Sequence, residues 1–310
     1  MSTVNQKWKG VFCGALAAIT YGMNPLFSLP LYDDGLSPAA VLCYRYALAA
    51  GLLAILMKLG GKSFRLPMNM LPHAIGGSML MVVSSLTLFM SYQEMDAGIA
   101  STILFVYPVM VAAIMAVFWG EKITVGTILG ILGALAGVLI LYQGDGSGIN
   151  RTGLLLVLCS ALSYAVYIVA VKESALGKLP AELLTFYVML FGIPVFFWRT
   201  GWGADLPCIQ SWLGWGCIVA LAFFPTVISF FLTAVSSRMI GATKTAILGA
   251  LEPVTAVFFG VLVFGEPLTQ RLMIGIVVII LAVMLVVLGK DSTSGRGKKK
   301  AGSAPASKND

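Results

Sequence analysis

The sequence predicts an all-α integral membrane protein, with ten transmembrane helices as two inverted five-helix repeats. Three observations lead there. Of the 310 residues, 59% are hydrophobic and only 11% are charged, whereas a soluble domain carries roughly 25% charged residues. The apolar residues fall in blocks of about 20, the length of a helix that crosses a bilayer core. They show none of the period-two alternation of a membrane β-barrel. A stretch near the end of the chain also repeats, without a gap, a stretch of the first half.

The expected spans follow in order. The first, about 10–31, holds TYGMNPLF, where Gly22 and Asn24-Pro25 interrupt the helix near its middle. It lacks a small-x-small cleavage site and outlasts a signal h-region, so it reads as a span and not a leader. The second, 38–57, carries Arg45 in CYRYALAA. Spans 71–93 and 97–119 follow, the latter with Tyr107-Pro108 inside it. The fifth, 123–142, has two GxxxG patterns, Gly126/Gly130 and Gly133/Gly137. These let a neighbouring helix approach closely, within the chain or in a homodimer. Spans 152–171, 181–198, 210–233 and 241–264 come next, and 269–289 is the last. The ninth is a long apolar run with Glu252-Pro253 near its middle. From 290 to 310 the chain is polar, basic and rich in Gly, Ser and Ala, so a disordered cytoplasmic tail is expected. Its KKK run suits contact with anionic lipids.

Charge sets the expected topology. Ten spans leave both termini on one side. That side holds Lys7, Lys9, Lys58, Lys62, Arg65, Lys122, Lys172, Lys178, Arg238, Lys244, Lys290, Arg296, Lys298, Lys299, Lys300 and Lys308. The other side holds Arg151, Arg199 and Arg271, and Arg45 lies within a span. The positive-inside rule then puts both termini in the cytoplasm of an inner or plasma membrane. The net charge of +7 thus reflects topology, and no nucleic-acid partner is implied. The six tryptophans fall near expected span ends, as an aromatic belt requires.

The repeat is specific in its punctuation. YPVMVAAIMAVFWGEKIT (107–124) and EPVTAVFFGVLVFGEPLT (252–269) share Pro108/Pro253, Val109/Val254, Gly120-Glu121/Gly265-Glu266 and Thr124/Thr269, at a constant offset of 145. A weaker echo opens each half at an offset of 143: Gly10/Gly153, Ala18/Ala161, Thr20/Ser163 and Tyr21/Tyr164. Five spans per half is an odd number, so the second half must run inverted. The expected units are 8–144 and 150–289. Inverted repeats with interrupted helices are an architecture of secondary transporters.

With YPV…GEKIT, LEPV…GEPLT and the single Arg45, residues 8–289 resemble the drug/metabolite transporter superfamily, specifically its ten-helix EamA-type members with two EamA domains. The resemblance implies a secondary transporter that exports a small metabolite by alternating access, with amino acids as first candidates. It leaves open another solute class (a drug, a cation or a sugar phosphate), the coupling ion and the direction. A membrane-embedded transferase is the rival from another class. It needs a metal or nucleophile cluster, and the five cysteines, the lone His73 and Asp33-Asp34 offer no such spacing. No cofactor and no metal are expected.

The candidate binding residues are Glu252, Asn24, Tyr21, Tyr107, Tyr164, Tyr167 and Arg45. Glu252 lies eight residues from Lys244 and fourteen from Glu266, about 12 and 21 Å along a helix, hence near the midplane. A charge there costs at least about 2.5–3.5 kcal/mol, so it binds a substrate amine or cation, carries a proton, or pairs with Arg45. Arg45 in turn binds a substrate carboxylate, pairs with Glu252 or Asp96, or reaches outward. Asn24 can both donate and accept, which suits a zwitterion, and the tyrosines are expected around the same cavity. Pro25, Pro108 and Pro253 are helix breaks. Pro253 removes the partner of the Gly249 carbonyl, which then needs water, Thr255 or substrate. Glu121 and Glu266 are capping or hinge residues at the surface turns.

Overall fold

The structure is a computed structural model that describes residues 3–120, 125–142, 150–241, 245 and 247–301, with backbone alone at 3–6, 142 and 286–301. No strand occurs among the described residues. The helices are α1 (Thr3–Gly22), α2 (Asn24–Asp33), α3 (Pro38–Leu59), α4 (Leu71–Ser91), α5 (Ala97–Leu104), α6 (Tyr107–Trp119) and α7 (Val125–Tyr142) in the first half. The second half has α8 (Arg151–Glu173), α9 (Ala181–Arg199), α10 (Trp212–Ala222), α11 (Ser229–Ile240), α12 (Leu251–Phe264) and α13 (Gln270–Ala301). A π-helical segment, Phe223–Ile228, joins α10 to α11.

Among the described residues, seven helical stretches are long and apolar enough to cross a membrane: Lys7–Asp33, Pro38–Leu59, Met68–Ser91, Ala97–Trp119, Arg151–Glu173, Ala181–Arg199 and Trp212–Ile240. At the expected fifth, ninth and tenth spans the apolar stretches among the described residues are Val125–Leu141, Leu251–Phe264 and Gln270–Leu285. The ninth is a correction. The chain turns at Gly249-Ala250 before α12 begins, so 241–264 is not one continuous helix. Glu252 and Pro253 stand in the first turn of α12, where a missing N–H costs nothing and the helix dipole favours a carboxylate.

The same device recurs. Met23 separates α1 from α2, which opens Asn24-Pro25, and Phe105-Val106 separates α5 from α6, which opens Tyr107-Pro108. Each proline therefore starts a second half-helix. The break in the Trp212–Ile240 stretch was not foreseen: Pro225 sits in the π segment.

The halves are interleaved. The main packing partners are α7 with α13, α4 with α8, α1 with α11, α3 with α9 and α5 with α12, and every pair crosses between halves. Small residues set the distances. A Cβ on Gly137 would lie 2.5 Å from Ile279 Cγ1, and one on Gly133 3.1 Å from Ala282 Cβ. The second GxxxG pair of α7 is thus spent on α13, within the chain.

Candidate functional site

The candidate residues gather where broken helices meet. Gly22, the last residue of α1, lies on the first turn of α12: a Cβ there would be 2.5 Å from the Glu252 carbonyl oxygen and 2.8 Å from Thr255 Cβ. Glu252 is 8% exposed. Its side chain makes no ion pair or hydrogen bond with any described residue. Tyr21, Tyr92, Tyr107 and Tyr164 are close enough to feel its charge. The rings of Tyr107 and Tyr164 meet edge-on at 4.7 Å, and Tyr164 stacks on Tyr167 at 6.3 Å. Tyr167 is the outlying member, one ring further on, where it packs over Gly77 of α4.

Each break exposes a carbonyl, and the structure shows how three of them are satisfied. Pro253 leaves the Gly249 carbonyl without its helical donor. The acceptor is taken up by Glu252's own N–H at 2.9 Å, and not by Thr255, whose hydroxyl donates to the Leu251 carbonyl at 2.7 Å. Pro25 frees the Tyr21 carbonyl, and Asn24 Nδ2 donates to it at 2.8 Å. This leaves Asn24 Oδ1 buried with no partner among the described residues. Pro225 frees the Leu221 carbonyl, and Thr226 Oγ1 donates to it at 3.3 Å. Such repair is the condition for broken backbone inside a bilayer.

Arg45 corrects an expectation. It pairs with neither Glu252 nor Asp96. It is 6% exposed, its Nε donates to Thr226 Oγ1 at 3.0 Å, and its guanidinium carbon lies 5.4 Å from the centre of the Phe89 ring, a cation–π contact. Thr226 thus joins the arginine to the Pro225 break. Neither Thr226 nor Tyr92 was foreseen. A proline followed by a hydroxyl residue in FFPTVIS was the available signal for Thr226; for Tyr92 there was none.

Glu266 belongs to a second place. It lies in the turn after α12, where Gly265 adopts a left-handed φ of 68° and the Glu266 N–H donates to the Gly260 carbonyl at 3.0 Å. Its carboxylate accepts from Ala97 N and Gly98 N and caps α5. Gly120 repeats the left-handed turn with φ 63°. Glu121 lies outside the described residues.

Known proteins resemble this chain. The EamA-like transporter family matches the chain twice, over residues 8–143 and 151–288. An "Uncharacterized transporter" of Archaeoglobus fulgidus is 29% identical over 261 residues, 81% of this chain and 89% of that protein. The "Uncharacterized inner membrane transporter YedA" of Escherichia coli is 27% identical over 250 residues, 78% of this chain and 79% of that one. The "Uncharacterized transporter YyaM" of Bacillus subtilis is 23% identical, covering 83% of this chain and 87% of its own. One solved crystal structure, described only as that of a protein, superposes with a TM-score of 0.66 at 18% identity over 90% of this chain and 98% of that one; the likeness is one of fold. With both halves matched, the chain belongs to the EamA-like transporter family and is a membrane transporter.

Proposed function

We propose that the chain is a secondary transporter working by alternating access, with two inverted five-helix repeats (8–144 and 150–289) rocking around the Glu252 site. It exports a small metabolite, with amino acids as first candidates. The observation that carries the reading is the meeting of interrupted helices around a buried carboxylate with no ion-pair partner among the described residues, the arrangement of secondary-transporter sites.

Packing supports the inverted repeat. A Cβ on Gly10 would lie 2.5 Å from Ile240 Cγ2 and 2.9 Å from Met239 Cβ; one on Gly153 would lie 2.8 Å from Met95 Cε and 3.0 Å from Glu94 Cβ. These are images of each other, since an offset of 143 relates the glycines and 145 relates Glu94-Met95 to Met239-Ile240. Likewise Ser160 Oγ donates to the Ser84 carbonyl at 2.7 Å, and Ser229 Oγ donates to the Ala17 carbonyl at 2.9 Å. The same offsets relate Ser84 to Ser229 and Ala17 to Ser160.

Basic-residue asymmetry supports an inner or plasma membrane orientation with both termini cytoplasmic. Glu252 is the candidate proton carrier. The test is efflux of labelled amino acids from proteoliposomes. Efflux above protein-free vesicles is expected. Glu252→Gln should abolish it, while Glu182→Gln, at an ion pair with Lys62, should not. Full efflux by Glu252→Gln would exclude the proton-carrier role.

A further inference from the structure

We infer that the two inverted halves move differently: one packed pair of spans is hinged, and its image is stiff. The stretches Lys7–Asp33 and Trp212–Ile240 bend at Pro25 and Pro225, with α2 and α10 swinging together on α1 and α11. The matching pair, α4 with α8, moves as straight rods. The inference rests on the inverted repeat of the transport reading and adds an asymmetry that the repeat does not contain.

The arms of the two broken spans sort into two sets. α11 packs on α1 and α9, and α10 packs on α2 and α3. On one side of the breaks Ser229 Oγ donates to the Ala17 carbonyl at 2.9 Å, the rings of Tyr21 and Phe230 meet edge-on at 6.4 Å, and a Cβ on Gly14 would lie 2.6 Å from Ser236 Oγ. On the other side Asp34, the C-cap of α2, accepts from Ser211 Oγ, at the N-cap of α10, at 2.8 Å. The breaks themselves touch: the π segment packs on α1, and Phe27 stacks on Phe224 with ring centres 6.1 Å apart. Arg45 of α3 holds the π segment through Thr226, which gives the bend a fixed fulcrum. The image pair is joined in the same manner but has no break. Ser160 of α8 bonds to Ser84 of α4 where Ser229 of α11 bonds to Ala17 of α1. The offsets of 143 and 145 place Ile168 opposite Pro25 and Leu80 opposite Pro225, and α8 and α4 run unbroken. Backbone chemistry makes this difference count. At Pro25 and Pro225 a helical bond is already missing, and the side chains of Asn24 and Thr226 serve the freed carbonyls. Small side-chain rotations let these donors follow a change of bend. In α4 and α8 the same bend would open backbone bonds inside the bilayer, where no water replaces them. Prolines and π segments are where long helices kink.

The test measures distances between spin labels in the full-length chain in lipid nanodiscs, by pulsed electron paramagnetic resonance. The labels are attached through p-acetylphenylalanine, which spares the five cysteines. One sample is labelled at Trp212 and Thr152, the non-cytoplasmic ends of α10 and α8 under the orientation proposed above. The other is labelled at Arg238 and Glu173, the cytoplasmic ends of α11 and α8. All four residues are exposed. α10 is 11 residues long, about 16 Å, so a change of bend of about 20° carries Trp212 through about 6 Å. The Trp212–Thr152 distribution should be broader than the Arg238–Glu173 distribution by about that amount. Straight rods tilting about their middles would move both ends alike. Pro225→Leu gives the Leu221 carbonyl its N–H again and should narrow the first distribution to the width of the second. Equal widths in the wild type, broad or narrow, or a broader cytoplasmic pair, overturn the hinge and leave the transport reading standing. Unequal widths that survive Pro225→Leu overturn the assignment to Pro225. If the widths differ as expected while no amino acid leaves proteoliposomes, the transport reading falls and the hinge stands. The wild-type comparison decides even where Pro225→Leu does not fold.

Discussion

Glu266 Oε1 accepts a hydrogen bond from Ala97 N at 2.7 Å, across 169 residues of sequence, while its Oε2 accepts one from Gly98 N at 3.1 Å. A turn of the second half thereby caps a helix of the first. The local residue Asp96 stands at the N-cap of α5 but makes no side-chain cap bond, so the distant carboxylate supplies what the near one does not. Room for it comes from Gly98, where a Cβ would lie 2.9 Å from Glu266 Oε2, and from Gly260, which abuts the same carboxylate. Glu266→Ala should lower thermal stability in detergent by an amount typical of a lost cap, about 1 kcal/mol. Gly260→Ala should do at least as much, by pushing the carboxylate off the amides. An unchanged melting temperature in both variants would show that the cap contributes nothing.

The same carboxylate gives a pH dependence. Burial raises the Glu266 carboxyl above the ordinary carboxylate range, and the amides of Gly98 and Ala97 only partly pull it back. Burial also raises Asp96, which stands at the N-cap of α5, the helix that Glu266 caps. The folded chain therefore holds these protons more tightly than the unfolded chain. Their contribution is fully present below the unfolded value, about pH 4, and is lost as pH rises through the raised values. Thermal melts from about pH 4 to 8 should show this decline, and Glu266→Gln should flatten its own share while leaving that of Asp96. A wild-type stability that climbs across this window, equally in the variant, would contradict the assignment.

These contacts mark how far the sequence could be read. Pro25, Pro108 and Pro253 announce helix breaks because a missing N–H is a local property, visible without a partner. The all-helical fold and the two halves were legible for a similar reason, in apolar blocks and repeated punctuation. Partners across the fold were not. The depth of Arg45 along α3 follows from counting residues, but its direction around the helix axis does not; the sequence leaves a carboxylate partner and an outward reach both open, and the side chain meets Thr226 and Phe89. Pro225 has no proline opposite it in the first half, where the offset of 145 places Leu80, and so the repeat gave no pointer to this break.

Gly22 is a test of how the site is assembled. A methyl group there would meet the Glu252 carbonyl oxygen at 2.5 Å, and backbone cannot step aside as a flexible side chain does. Gly22→Ala should therefore shift α1 off α12, cost about 1–3 kcal/mol as overpacking does, and reduce transport. Gly51 is the control: it is helical, and open space surrounds its Cβ position. Gly51→Ala should be neutral or stabilising by up to about 1 kcal/mol. Equal effects of the two changes on melting and flux would refute the close approach.

Thr226 does two jobs with one hydroxyl, and the two can be separated by substitution. It donates to the Leu221 carbonyl that Pro225 leaves free, and it accepts from Arg45 Nε. Thr226→Val keeps the shape and removes both bonds, leaving a buried carbonyl and a buried guanidinium N–H unsatisfied at about 1–3 kcal/mol for the first and more for the charged group. Thr226→Ser restores the hydroxyl and should recover most of that loss in a detergent melt. Asn24→Ala removes one comparable bond, Nδ2 to the Tyr21 carbonyl, with no charge involved, and so should cost less than Thr226→Val. If Thr226→Val melts with the wild type, the hydroxyl relay contributes nothing to stability.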